Sequence, residues 1–360
     1  MRAVVLRKPY TLELLEIPEP VLTEPEHVLI QVKACGICGS DLRYWAGENP
    51  WAQHTLGRHV DNPPNMILGH EFSGVVVKVN SAQYEHLLGQ RVGAQAFRTC
   101  GRCALCKSGR ENLCQSTVHI GHAQGWGQRA FYPGAYADYC LAWADLLYPM
   151  APQVTFEEEA MRDFLGVAVH AFHRVPFQPG DRVLCIGGGP VGLSLAQVAR
   201  AHGARQVFVS EIAPVARTVV EQYPGIVCLD PTEVDLAEEV GRASCQVVFD
   251  TVGTQETITQ GLELLALGGT YVNLAVHDLA LQLNAMTLGA ERAMTTSSNA
   301  RYRDEQEAHE LIASGAVDMS SMITHRLPLE AYQEAYGLLL SQPKQAYKVV
   351  FLFDGVSPEL

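Results

Sequence analysis

Arg182-Val183-Leu184-Cys185-Ile186-Gly187-Gly188-Gly189-Pro190-Val191-Gly192 is the stretch that decides the fold. A short apolar run suits a buried strand, three glycines end it, and an Ala-rich apolar segment running to Ala201 suits a helix. Gly187, Gly189 and Gly192 carry the G-x-G-x-x-G spacing, with Pro190 and Val191 between the last two. The first glycine permits a tight turn, the second lets the backbone approach a pyrophosphate, and the third lets helix and strand pack closely. Free N–H groups at the helix start then face the phosphates. A second apolar run, 206–210, ends in Glu211, nineteen residues after Gly192. An acid there accepts a hydrogen bond from the ribose 2′-hydroxyl of NAD. Arg217, six residues further on, is the competing candidate, because a guanidinium would attract a 2′-phosphate. The bland alternative is a Gly-rich surface turn of some other α/β domain.

The chain has 360 residues, long for one core, so two domains are expected. Its net charge of −13 leaves no excess of Lys or Arg to neutralise phosphates, which argues against nucleic acid or an anionic membrane as partner. No apolar stretch is long enough to span a bilayer, and the first six residues are too short to act as a signal. A cytoplasmic chain is expected, and its ten cysteines then read as metal ligands or buried thiols rather than disulfides.

Residues 1–33 alternate strand-like runs (2–6, 12–17, 28–33) with Pro-rich turns, and a long loop is expected over 44–66. From Gly180 onward strands and helices alternate, which predicts a parallel, doubly wound sheet. The domain change falls near residue 154. Beyond about residue 290 the chain turns polar, with helices over 303–314 and 329–340 and strands over 323–326 and 348–352. A segment of this kind can return to the first domain and complete it.

Cys100, Cys103, Cys106 and Cys114 follow C-x2-C-x2-C-x7-C. Four thiolates this close can enclose one tetrahedral zinc ion, the closed arrangement of a structural site. An iron–sulfur cluster uses similar spacing but has no second cluster motif here. The acidic charge disfavours a nucleic-acid zinc ribbon.

Gly36-Ile37-Cys38-Gly39-Ser40-Asp41, Gly69-His70-Glu71, the four-cysteine cluster, the 187–192 fingerprint, Gly268-Gly269-Thr270 and Ile323-Thr324-His325-Arg326 stand in a characteristic order. Over nearly its whole length the chain resembles the zinc-dependent medium-chain alcohol dehydrogenases, most closely their polyol, butanediol and threonine dehydrogenase branch. The resemblance implies an α/β protein with a GroES-like, mostly β catalytic domain (1–154 and 291–360) and a Rossmann NAD-binding domain (155–290). It also implies two zinc ions per chain, NAD, a small-molecule alcohol or ketone substrate and a homo-oligomer, dimer or tetramer. The implied reaction moves hydride between NAD and a secondary alcohol such as a polyol, sugar or small diol. A primary-alcohol or aldehyde dehydrogenase is the alternative within the family, and a dinucleotide-binding protein without the chemistry is the alternative outside it.

Cys38, His70 and an acidic residue form a borderline-soft set that suits Zn²⁺ with one position left open. Glu71 is either a ligand or an acid lying behind one, and Asp41 can accept from a ligand's imidazole N–H. By resemblance Ser40 begins the proton relay. The branch usually carries Glu-Pro where this chain has Asp163-Phe164, and that Glu approaches the zinc. Asp163 is one methylene shorter, so it binds directly, binds through a water, or leaves the position to Glu71. Cys35 reads as a buried thiol. His54, His59, His119 and His122 receive no role. Tyr44, Trp45 and Trp51 either line the cleft or pack the loop. Arg301 either reaches substrate hydroxyls or forms a surface ion pair.

Overall fold

The structure is a computed structural model that describes residues 1–354 apart from Val276, Asp278 and Leu279. Positions 355–360 of the expected C-terminal segment lie outside the described residues. Two sheets organise the chain. The first takes its strands in the order Leu147–Pro149, Arg91–Ala94, Glu71–Val79, His27–Gly36, Val349–Leu352 and His325–Pro328, with Tyr139–Trp143 also paired to His27–Gly36. The last two of these come from the chain's end, so the C-terminal segment does return and complete the N-terminal sheet. Strand His27–Gly36 is buried along most of both faces, which matches its near-continuous apolar sequence.

The second sheet has the order Ile226–Leu229, Gln206–Ser210, Arg182–Ile186, Cys245–Asp250, Leu265–Asn273 and Ala293–Thr296, every pair parallel. In chain order this is 3-2-1-4-5-6, the dinucleotide-binding arrangement, whose crevice lies where the order reverses. Strand Arg182–Ile186 stands at that reversal and leads into helix Pro190–Ala201, so the fingerprint occupies the crevice.

Three expectations need correction. Strand Ala293–Thr296 belongs to the parallel sheet, so the boundary expected at residue 290 falls one strand too early. Helix Phe156–Ala160 packs against strands of the first sheet, which moves the first boundary later than 154. The expected loop 44–66 also holds a helix, Pro50–Leu56, that sequence reading missed. Its start is nevertheless encoded: the Asn49 side chain accepts from the Ala52 N–H at 3.0 Å and Pro50 occupies the first helical position.

Candidate active site

Three neighbouring strands of the first sheet end at one edge, and their register assembles the site. Gly36 pairs with Glu71 on one side and Val350 on the other. Cys38 therefore follows one strand, His70 precedes the second and Lys348 precedes the third. The Cys38 thiol, a His70 ring nitrogen and a Glu71 carboxylate oxygen lie within 4.8 Å of one another. Gly36 is required by this approach: a side chain there would strike the Glu71 carboxylate and meet the Lys348 stem at 3.1 Å.

His70 is gripped from behind. Its Nδ1 stands 3.4 Å from Asp41 Oδ1, too bent for a good hydrogen bond. Asp41 is wholly buried and accepts from the Cys38 N–H (2.9 Å), the Gly69 N–H (3.3 Å) and the Tyr136 hydroxyl (2.9 Å). Burial opposes both charges, yet the pair's mutual attraction holds the Asp41 pKa below the ordinary value and lifts that of His70 well above it. An imidazole backed by a carboxylate is oriented and made more basic toward a cation on its other nitrogen. That nitrogen, Nε2, faces Ser40 Oγ at 3.5 Å and Asp163 Oδ2 at 4.0 Å.

Both candidate acids reach the site, from different sides. Glu71 is fully buried and paired with Lys348, whose Nζ also donates to the Ile37 carbonyl at 3.0 Å and sits 4.6 Å above the Phe164 ring. Burial pushes the Glu71 pKa up and Lys348 pulls it back. Among the described residues its Oε1 has no partner, a costly state for a buried carboxylate that a cation would relieve. Asp163, in the first turn of helix Arg162–Phe172, lines the cavity beside Ser40 and His70. Nitrogen and oxygen ligands on one tetrahedral zinc stand about 3.4 Å apart, so a small side-chain movement closes the 4.0 Å gap. One thiolate, one imidazole and two reachable carboxylates are a donor set that fits zinc.

The four sulfurs of Cys100, Cys103, Cys106 and Cys114 form the second set, also within 4.8 Å of one another. Contacts of 3.4, 3.5 and 3.9 Å bracket the roughly 3.8 Å edge of a tetrahedron built on Zn–S bonds. Backbone N–H groups of Arg102 and Cys103 pull the Cys100 thiol down to about 6, favouring the thiolate a metal needs. All ten cysteines are free thiols. The lobe is tied to the rest of the protein. Asn112 Nδ2 donates to the Ser298 carbonyl (3.0 Å) and lies 3.1 Å from His170 Nε2, and Asn299 Nδ2 donates back to the Asn112 carbonyl (2.9 Å).

Across the crevice, helix Pro190–Ala201 starts at Gly189 with no side-chain cap, leaving its N–H groups open to a phosphate. A side chain at Gly192 would collide with the Gly187 carbonyl, which is the close helix–strand packing expected of the third glycine. Glu211 accepts from the Gly188 and Ala213 N–H groups, each at 2.7 Å, so it stands beside the turn. Arg217 is bound to Asp230 at 2.7 Å and to the Ile212 carbonyl at 2.5 Å. From the other domain, the Tyr347 hydroxyl donates to the Gly188 carbonyl at 2.8 Å.

A cavity of about 440 Å³ joins the two halves: Cys38, Ser40, His70 and Asp163 on one wall, Val191, Thr251 and Leu274 on the other. A second, about 330 Å³, runs from Glu71 and Lys348 past Lys344 to residues 189–192. Tyr44 and Trp51 line the first cavity, whereas Trp45 packs edge-on against Tyr10 and Tyr336. Arg301 is pinned to Asp304 at 2.8 Å and does not line the cavity. His59 is exposed beside Asp61, but His54, His119 and His122 all line the cavity. Sequence reading gave them no role, because nothing local distinguishes a cavity histidine from a surface one. It also missed Lys348, since a lysine next to an apolar strand usually reaches solvent.

These features define a class: a dinucleotide-binding oxidoreductase with one open and one closed metal site. Known proteins agree. The profile of the alcohol dehydrogenase GroES-like domain matches residues 24–152, and that of the zinc-binding dehydrogenases matches 190–314. The chain is 32% identical over 330 residues to "Probable D-xylulose reductase A" of Aspergillus terreus, covering 89% of each, and 31% identical over 335 residues to D-xylulose reductase A of Aspergillus oryzae, covering 89% of this chain and 88% of that one. A Sinorhizobium meliloti 1021 protein described as a zinc-binding dehydrogenase, solved bound to NADP, superposes with TM-score 0.85 at 27% identity over 98% of this chain and 99% of its own. The chain belongs to the zinc-dependent medium-chain alcohol dehydrogenase family.

Proposed function

We propose that the protein is an NAD-dependent polyol dehydrogenase that interconverts a secondary alcohol of a polyol or sugar alcohol with its ketone. One observation carries this reading: a single cavity joins the Cys38–His70–Asp163 wall to the crevice of the dinucleotide turn. The names of the Aspergillus relatives support the substrate class. A zinc ion held here would supply Lewis acidity toward an alcohol oxygen, and a nicotinamide in the crevice would supply the hydride acceptor.

The chain's own residues do the rest. Cys38 and His70 would hold the metal, and Asp163 supplies the acidic oxygen on the cavity side. Asp41 fixes the His70 ring. Ser40 Oγ, 3.5 Å from His70 Nε2, takes the hydroxyl proton and passes it outward. Glu71 is held by Lys348, and its free oxygen is the alternative ligand. The Cys100, Cys103, Cys106 and Cys114 set would hold the structural zinc. Glu211 accepts from the ribose and repels a 2′-phosphate, while Arg217 is already occupied by Asp230, which supports NAD over NADP.

The reading includes a cytoplasmic homo-oligomer, dimer or tetramer. Strand Ala293–Thr296 lies at the end of its sheet, and Leu267 and Met286 are exposed nearby, which supports association. The test is formation of NADH or NADPH on a panel of pentitols, hexitols, diols and primary alcohols. Polyols oxidised with NAD, at least tenfold better in kcat/KM than with NADP, are the expected result. Turnover confined to primary alcohols overturns it.

A further inference from the structure

A ladder of rings forms one wall of the large cavity. Tyr44 stacks on His122 with centroids 5.0 Å apart and planes 18° apart, His122 on His119 at 4.0 Å and 29°, and His119 against Phe97 at 5.5 Å. All four line the cavity that holds Cys38, Ser40 and His70. The ladder ends on Tyr302, 5.7 Å from Phe97, whose hydroxyl is fixed by Thr99. Stacking on both faces leaves each imidazole only its edge for bonding.

Those edges are differently placed. His119 Nδ1 lies 3.4 Å from the Ile120 carbonyl, so Nδ1 carries the proton and Nε2 is left as an acceptor. His122 is 5% exposed, lines the cavity and has no hydrogen-bond partner for either nitrogen among the described residues. A polar ring that lines a cavity without a partner among the described residues is free to bond what enters that cavity. Burial keeps His122 neutral, so it offers one donor and one acceptor.

We propose that His122, backed by His119, is a specificity-determining residue that reads a second hydroxyl of the substrate, on a carbon beyond the one that is oxidised. This rests on the polyol reading above and narrows it to an uncharged chain with several hydroxyls. A neutral ring has no preference for an anion. The guanidinium on this wall, Arg43, already gives its donors to Glu48 at 2.8 Å and to Gln53. A hydroxyl matches the ring: it donates to one nitrogen or accepts from the other. A simple secondary alcohol leaves the edge unpaired, and a site built to bond a hydroxyl discriminates against the analogue lacking it.

The test compares kcat/KM for xylitol, for a pentitol phosphate and for 2-pentanol, the last having the same carbon count and one hydroxyl. Zinc content and melting temperature of each variant serve as the folding control. In His122→Phe, which keeps the stack and removes the edge, the xylitol-to-2-pentanol ratio falls tenfold or more. His122→Asn, which restores a donor and an acceptor, recovers a large part of it. An unchanged ratio in folded His122→Phe overturns the proposal, as does a wild-type preference for the phosphate over xylitol. A wild type inactive on every alcohol overturns instead the polyol reading on which this rests.

Discussion

Asp163 and Glu71 are both within reach of one metal position, and their surroundings assign them different work. Lys348 neutralises Glu71 inside the sheet edge, whereas Asp163 opens on the cavity with Ser40. Asp163→Ala is therefore expected to lower turnover by two orders of magnitude or more and to weaken the more labile zinc. Glu71→Gln keeps zinc and is expected to lower turnover less than tenfold. Zinc per chain after dialysis against a mild chelator, with kcat on the same samples, checks both. Full zinc and full activity in Asp163→Ala would remove Asp163 from the site. Sequence carried Cys38 and His70 because thiolate and imidazole in those motifs have few other uses. It left the two acids unranked, since the difference lies in Lys348, 277 residues from Glu71 in the chain.

At the scale of elements, the four-cysteine lobe is a brace as well as a metal site. Asn112 Nδ2 donates to the Ser298 carbonyl, Asn299 Nδ2 donates to the Asn112 carbonyl, and residues 299 and 300 line the cavity. Asn299 adopts a left-handed conformation, φ 55°, which Asn tolerates better than most residues. Cys103→Ser is expected to lose one zinc and to lower the melting temperature by ten degrees or more, because a structural zinc contributes folding free energy directly. Asn112→Ala should keep both zincs yet raise KM for polyols with a smaller effect on kcat. Metal analysis, thermal melts and steady-state kinetics read these outcomes. The alternation of strands and helices after Gly180 was legible because each run has its own period and its own glycine stops. Helix Pro50–Leu56 was not, because seven residues are too few to show helical periodicity and their Asn-Pro start also reads as a turn.

Over the whole molecule, buried neutral histidines make the fold sensitive to acid. Burial holds His119 at about 3 and His54 at about 4, and it holds His122 well below the usual range. In the unfolded chain these rings bind protons near pH 6.5, so the unfolded state takes up more protons as pH falls below that. Their contribution is complete above about pH 6.5 and is lost as pH falls toward the folded values, at up to about 1.4 kcal/mol per pH unit for His122. Asp304, held low against burial by His170, His173 and Arg301, adds a loss below about pH 4. The melting temperature is expected to fall between pH 7 and pH 5, and His122→Phe to flatten that fall. A flat profile in the wild type would contradict it. Domain order and the return of the C-terminal segment were visible in the chain, but the boundaries were not: Ala293–Thr296 is a short run whose place depends on strand Leu265–Asn273 beside it.

Two separate donor sets, of which only the Cys38 set faces the cavity, are expected to hold two zinc ions with one serving the chemistry. Cys38→Ala, purified with zinc present throughout, tests this most directly by zinc per chain and rate of NADH formation on xylitol in the same preparation. Two zincs and turnover are expected in the wild type. In the variant one zinc, an almost unchanged melting temperature and turnover reduced at least a thousandfold are expected. Two tightly held zincs or substantial turnover in Cys38→Ala would contradict it.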